Sequence, residues 1–387
     1  MREFLNPKVK SMPPSGIRRF FNLANEMENV ISLGVGEPDF FTPWNIREEA
    51  IYFLQKRRTV YTANAGSIEL RREIARYTER KYGLTYDPAK EILVTVGGSE
   101  AIDLAFRTMV VPGDEVLIPQ PSFVSYQPCA EMAGGKVVSV PLSDETGFKL
   151  TVADLEPLLT EKTKLLVLPF PGNPTGAIMT KEDLEPVCRF AVEHDLFVVS
   201  DEIYSELTFG KKHVSCATLP GMKERTLVIN GFSKAFSMTG WRLGYACGPE
   251  WLVGQMIKVH QYALMCAPTA GQYAAIEALK NCDKAVEEMR EEYNRRRRFV
   301  LAKLNDMGLP TCDPAGAFYV FPCIKSTGLS SEDFCQKLLY EQRVAVVPGN
   351  AFGACGEGYV RISYAYSLER LKEALERIAV FVNAHRA

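Results

Sequence analysis

Histidine is scarce in this chain, with four among 387 residues, too dispersed to build a metal site. None of the ten cysteines forms a C-x-x-C pair or stands at zinc spacing from a histidine, which excludes a zinc module. They read as buried thiols in a reducing cytoplasm. Long apolar runs are also missing. The longest, such as Leu165–Leu168, are strand-sized, so no membrane span is expected. Met1–Lys10 carries charges at Arg2, Glu3, Lys8 and Lys10 and lacks the apolar core of a signal peptide. Charge of one sign is not in excess either: 45 Lys and Arg face 47 Asp and Glu. There is then no general pull toward nucleic acid or an anionic membrane, and any anion site must be local. These absences lead to the expectation of a soluble cytoplasmic protein with no metal and no nucleic-acid or membrane partner.

What is present is a largely ordinary globular composition, 47% apolar and 24% charged, in a chain long enough for two domains. Short β-branched runs alternate with segments of helical periodicity, the pattern of βα units and an α/β fold with a mostly parallel sheet. Strands are expected at Glu91–Val96, Glu115–Ile118, Lys136–Val140, Lys164–Leu168, Leu196–Val199 and Thr226–Ile229. Helices are expected from Ser99 to about Pro112, over Asp183–Glu193 and over Trp251–Tyr262. This places a large domain at 47–280. A charged helix, Asp283–Met307, leads out of it, and its Arg295–Arg298 run reads as a solvated face among Glu287, Glu288, Glu291 and Glu292. Strands at Ala317–Phe321, Val344–Val347 and Tyr359–Ser363 point to a smaller α+β domain, made of 1–46 and 281–387.

Five segments carry chemistry. In Gly231–Gly244, Lys234 follows a buried-looking strand in an apolar and small-residue setting with no carboxylate in the segment. Burial there lowers an ammonium's pKa and makes the amine a nucleophile. Ser233 and Arg242 close by offer a hydroxyl and a guanidinium fork for a phosphate. Asp201 ends a strand at the carboxyl edge of the sheet, where ligands of open α/β folds bind. It is either the partner of a protonated ring nitrogen or a helix cap. Tyr204 follows and can donate to a ring oxygen. Asn173, in Pro171–Gly176, is a ring-oxygen partner or plain turn chemistry. Gly97-Gly98-Ser99-Glu100 opens a helix whose free N–H groups can cradle a phosphate. It lacks the GxGxxG and GxxxxGK[ST] spacings, which disfavours a dinucleotide or nucleoside-triphosphate site. Arg361, inside the apolar strand Tyr359–Ser363, needs an anion, either a substrate carboxylate or a structural partner.

In this order and spacing the segments closely resemble the class I/II, fold-type-I aminotransferases, particularly the prokaryotic aspartate and aromatic branch. The resemblance runs from Ser32–Phe40 to Arg361. It implies a three-layer αβα large domain with a mostly parallel central sheet, and a smaller α+β domain. It also implies pyridoxal 5′-phosphate (PLP) held as a Schiff base on Lys234. By the same resemblance Asp201 partners the ring nitrogen, and Tyr204 and Asn173 the ring oxygen. Gly98, Ser99, Ser233 and Arg242 contact the phosphate, Phe123 stacks on the ring, and Arg361 anchors the substrate carboxylate. Gly36 lies in a mobile N-terminal segment that closes over substrate. Tyr61 matches a tyrosine that reaches the phosphate of the neighbouring subunit, so a homodimer with shared sites is implied, with ping-pong kinetics.

The neutral Ser99 stands where some aspartate-specific relatives carry a lysine. Pro121–Tyr126 and Gly349–Gly353 are similar to aromatic aminotransferases that use 2-oxoglutarate. Ser205–Thr208, Ser15–Arg18 and Lys258–Tyr262 resemble N-acetyl-diaminopimelate aminotransferases. Three alternatives stay open: that enzyme, an aspartate aminotransferase and a PLP-dependent carbon–sulfur lyase. Cofactor-sensing regulators of related fold carry a DNA-binding domain for which there is no room ahead of residue 30.

Overall fold

Most of the apolar runs become strands buried on both faces, as expected of a sheet covered by helices on either side, while Lys136–Pro141 at the sheet edge stays largely open. The computed structural model describes residues 3–12, 27–56 and 59–386; Ser15–Arg18 lie outside them. Strand β1 is Ile31–Ser32, β2 Ile92–Thr95, β3 Glu115–Gln120, β4 Lys136–Pro141, β5 Thr163–Leu168, β6 Phe197–Asp201, β7 Thr226–Gly231 and β8 Gly244–Cys247. The seven-stranded sheet has the order β2-β8-β7-β6-β5-β3-β4. Every pairing from β7 through β4 is parallel, while β8 runs antiparallel to both its neighbours.

Helices Gly98–Met109 and Glu250–Ala263 seal one face through Ile102, Phe106, Leu252 and Met256 against Val116, Val167 and Ile229. Helix Lys181–Glu193 packs Leu184, Val187 and Phe190 on the other face, against Leu166 and Val198. The fold is therefore α/β with helices on both faces of a mostly parallel sheet. Strand β8 escapes sequence reasoning because it has only four residues, begins with glycine and starts two residues after Arg242, whose backbone is left-handed (φ 55°).

A separate core gathers helices Asp283–Asp306, Ser331–Gln342 and Leu368–Ala384 with β9 (Tyr319–Val320), β10 (Val344–Ala345) and β12 (Val360–Ser363), while Val347 of β11 (Val347–Pro348) joins the core of Leu166 and Val198. The expected strand Val344–Val347 divides here: β10 pairs parallel with β1, and β11 pairs antiparallel with β12. The expected strand Ala317–Phe321 shrinks to two residues, with Ala317 at positive φ. The Arg295–Arg298 run is largely spent on ion pairs: Arg295 with Glu292, Arg296 with Glu292 and Asp39, and Arg297 with Asp313. Among the described residues no helix is long and apolar enough to cross a membrane.

Candidate active site

The carboxyl ends of the parallel strands open into a cavity of about 610 Å³, within the range of small-molecule sites. Its wall includes Gly36, Gly98, Ser99, Phe123, Asn173, Asp201, Tyr204, Ser233, Lys234, Arg242 and Arg361. These residues come from positions up to 325 apart in sequence, and one cavity brings them together. Tyr61 is not among them. It is 78% exposed and borders a different depression with Val60, Thr62 and Tyr273.

Asp201 is the last residue of β6 and is buried. No helix follows it, so the helix-cap reading falls. One carboxylate oxygen accepts from Tyr126 Oη at 2.7 Å, and the other from the Ile203 N–H at 3.2 Å. Burial pushes the Asp201 carboxyl up, and the Tyr126 hydrogen bond opposes it. Tyr126 is itself buried and stands edge-on to Phe123, with ring centres 5.7 Å apart.

Lys234 follows β7 and donates to the Gly36 carbonyl at 2.6 Å. Burial pulls its amine down to about 8, while the carboxylate of Glu37 works in the other direction. Such an amine is partly unprotonated near neutral pH, as a nucleophile or a proton acceptor requires.

Arg361 projects from β12 and is buried. Its partners are neutral. One guanidinium nitrogen donates to Asn173 Oδ1 at 2.8 Å, the other to the Gly34 carbonyl at 2.5 Å. The rings of Tyr319 and Phe352 lie 4.5 and 4.9 Å from its Cζ. Its Nε has no partner. A buried cation held by a carbonyl, an amide and two rings has no charged partner here and is able to take an anion.

One corner of the cavity lies where helix Gly98–Met109 begins. Its cap, Gly97, offers no side-chain acceptor, so first-turn N–H groups are left for another acceptor. Gly97 has φ +82°, and a Cβ there would stand 2.6 Å from Arg242 Nη2. Glycine is thus what lets the guanidinium close on the helix start.

Sequence reasoning missed Tyr126, Tyr319 and Glu37 as cavity residues. Tyr319 Oη lies 2.8 Å from Tyr204 Oη. Tyr126 has a weak sequence signal, since it follows the end of β3 closely, at the same sheet edge as Asp201. Tyr319 has none, because it comes from the second core.

The comparisons with known proteins agree with this geometry. The family model "Aminotransferase class I and II" matches residues 28–378, and the chain belongs to that family. The aromatic-amino-acid aminotransferase 2 of Thermococcus litoralis is 50% identical, with 97% of each chain covered. The aspartate aminotransferase of Pyrococcus abyssi is likewise 50% identical over 97% of each. The crystal structure of the aromatic aminotransferase from Pyrococcus horikoshii OT3 superposes with a TM-score of 0.91 at 49% identity, covering 95% of this chain and 99% of that one. The protein is a PLP-dependent transaminase. The cavity fits that cofactor on its own evidence: an uncapped helix start beside a guanidinium, a buried carboxylate facing the cavity, and a lysine amine of lowered pKa.

Proposed function

We propose that the enzyme moves the amino group of an L-amino acid, preferably an aromatic one, to a 2-oxo acid such as 2-oxoglutarate. The observation that carries this reading is the shortage of cations. Among the described residues, Lys234, Arg242 and Arg361 are the only Lys or Arg side chains on the cavity wall, while Phe123, Tyr126, Ile102 and Tyr319 give it a broad apolar surface. With Arg242 on the cofactor phosphate and Arg361 on the substrate carboxylate, a donor's side chain meets rings and aliphatic groups. The distal carboxylate of 2-oxoglutarate falls to neutral donors of the cavity wall or to the second subunit.

In this reading Gly98, Ser99, Ser233 and Arg242 hold the phosphate, Phe123 lies against the ring, and Asn173 and Tyr204 serve the ring oxygen. The bound cofactor supplies an electron sink and a carrier for the amino group. Asp201 keeps the ring nitrogen protonated, and the two hydrogen bonds from Tyr126 and Ile203 hold its carboxylate in place. Arg361 fixes the donor so that its Cα–H faces Lys234. The Lys234 amine would then serve as the base that takes the proton from the donor's Cα and as the acid that gives it back during the transfer. Gly36 releases Lys234 as the segment before Trp44 closes over the substrate.

We also infer a cytoplasmic homodimer acting in amino acid biosynthesis, with 47–280 as the large domain and 1–46 with 281–387 as the small one. An apolar patch supports the dimer. Val60 and Tyr61 lie beside Leu264, Met265 and the 87% exposed Tyr262, joined by Asn64 bonding to Met265 and Thr269 to Val60. Tyr61 would reach the partner's phosphate from there.

The test is to add phenylalanine or aspartate to the PLP-loaded enzyme without an oxo acid, and to follow the cofactor's visible absorption. Phenylalanine is expected to bleach it faster. A clear preference for aspartate, or for N-acetyl-diaminopimelate in a parallel run, would overturn the substrate assignment. Release of ammonia and pyruvate from a cysteine conjugate would point to the lyase instead.

A further inference from the structure

Behind the phosphate corner lies a buried pair that the proposed chemistry does not use. Glu100 is the third residue of helix Gly98–Met109. One of its oxygens accepts from the Val96 N–H, and the other lies 2.6 Å from Nδ1 of His260. His260 sits near the end of helix Glu250–Ala263 and is fully buried. Its Nε2 has no partner. An orphaned ring nitrogen in the interior is a cost that an apolar side chain of similar volume would avoid. The imidazole's one hydrogen bond runs to Glu100, so its use at this position has to be sought there.

Glu100 has two possible effects on the corner in front of it. Its bond to Val96 pins the peptide that leads into Gly97, whose backbone lies against the Arg242 guanidinium, and Val96 O is itself 3.5 Å from Arg242 Nη2. Unrestrained, the same carboxylate could swing toward Arg242 and the free N–H groups, where it would compete with a phosphate and repel it. His260 decides between the two by holding the second oxygen on the far side.

We propose that His260 is a positioning residue for the cofactor phosphate, acting through Glu100 on Val96, Gly97 and Arg242. This rests on the reading of Gly98, Ser99 and Arg242 as the phosphate site. In the neutral ring the bond makes Nδ1 the protonated nitrogen, donating to Glu100.

The cofactor-free protein is titrated with PLP and, separately, with pyridoxal, the same aldehyde without a phosphate. Dissociation constants are read from absorbance. His260→Leu is expected to weaken PLP about tenfold and to leave pyridoxal unchanged. His260→Asn, whose amide N–H can take the place of Nδ1, is expected to recover most of the loss. If His260→Leu does not fold, His260→Gln, which carries its amide past the Nδ1 position, is expected to show the same selective loss. Equal weakening of both aldehydes would reduce His260 to a packing residue and overturn the proposal, as would no weakening at all. Equal affinity of the unaltered protein for the two aldehydes would overturn the phosphate site itself, and the role of His260 with it.

Discussion

The floor and the roof of the cavity are built on different physics. The floor belongs to the sheet: Asp201 ends β6, and the groups that hold it, Tyr126 and the Ile203 N–H, follow the ends of β3 and β6. The roof is the segment between β1 and Trp44, which has no regular structure of its own. Its Gly34 and Gly36 carbonyls take hydrogen bonds from Arg361 and Lys234. Those are the two groups that the proposed chemistry needs for carboxylate and proton. The segment is tied down further along, where Asp39 accepts from Arg296 at 2.8 Å and Thr42 donates to Ser237 O at 2.6 Å. The floor is preorganised, whereas the roof's carbonyls occupy the Lys234 and Arg361 donors, which ligands must take over. Electrostatic preorganisation without later reorganisation is the more effective arrangement for a group that never lets go, and exchangeable backbone bonds suit groups that must engage and release.

Changes at the roof and at the floor should therefore fail differently. The largest effect is expected for Arg361→Lys. Losing the planar fork costs the bidentate grip on a carboxylate, so KM for the amino donor should rise by about tenfold or more with cofactor binding intact. Steady-state kinetics beside a PLP titration checks this, and weakened PLP binding would place Arg361 on the wrong ligand. Next comes Tyr126→Phe on the floor. Its hydroxyl opposes the burial that raises the Asp201 pKa, so without it Asp201 takes up a proton at higher pH. Cofactor retention should fall by several-fold, about 1 kcal/mol or more, and its acid limb should move to higher pH. A PLP titration across pH tests that, and an unmoved limb would separate Tyr126 from Asp201. The smallest is Glu37→Gln on the roof. The Glu37 carboxylate favours the Lys234 ammonium, so its loss should lower the amine's pKa below about 8, with little change in fold. The pH dependence of Lys234 labelling in the cofactor-free protein measures it, and an upward shift would contradict the electrostatics.

The same contrast explains what the sequence could tell. Strands such as β5 and β6 are legible because burial on both faces leaves a continuous apolar run, and a polar residue ending such a run marks the ligand edge. Asp201 is legible that way, whereas Lys234 stands out as an amine in the apolar segment after such a run and Arg361 as a charge inside one. Residues that act through another side chain leave little local trace. Tyr126 reads as one more aromatic after a turn, and His260 as a letter within Lys258–Tyr262. The division of Val344–Val347 between two sheets was equally invisible, because each half is apolar and only distant partners, β1 and β12, assign it.

The central claim is that Lys234, set between floor and roof, carries the cofactor. The direct measurement is to reduce the PLP-loaded protein with borohydride, digest it and find the labelled lysine by mass. The label is predicted on the peptide containing Lys234 and should vanish in Lys234→Ala. A label on any other lysine, or one that survives that substitution at the same stoichiometry, would contradict the account.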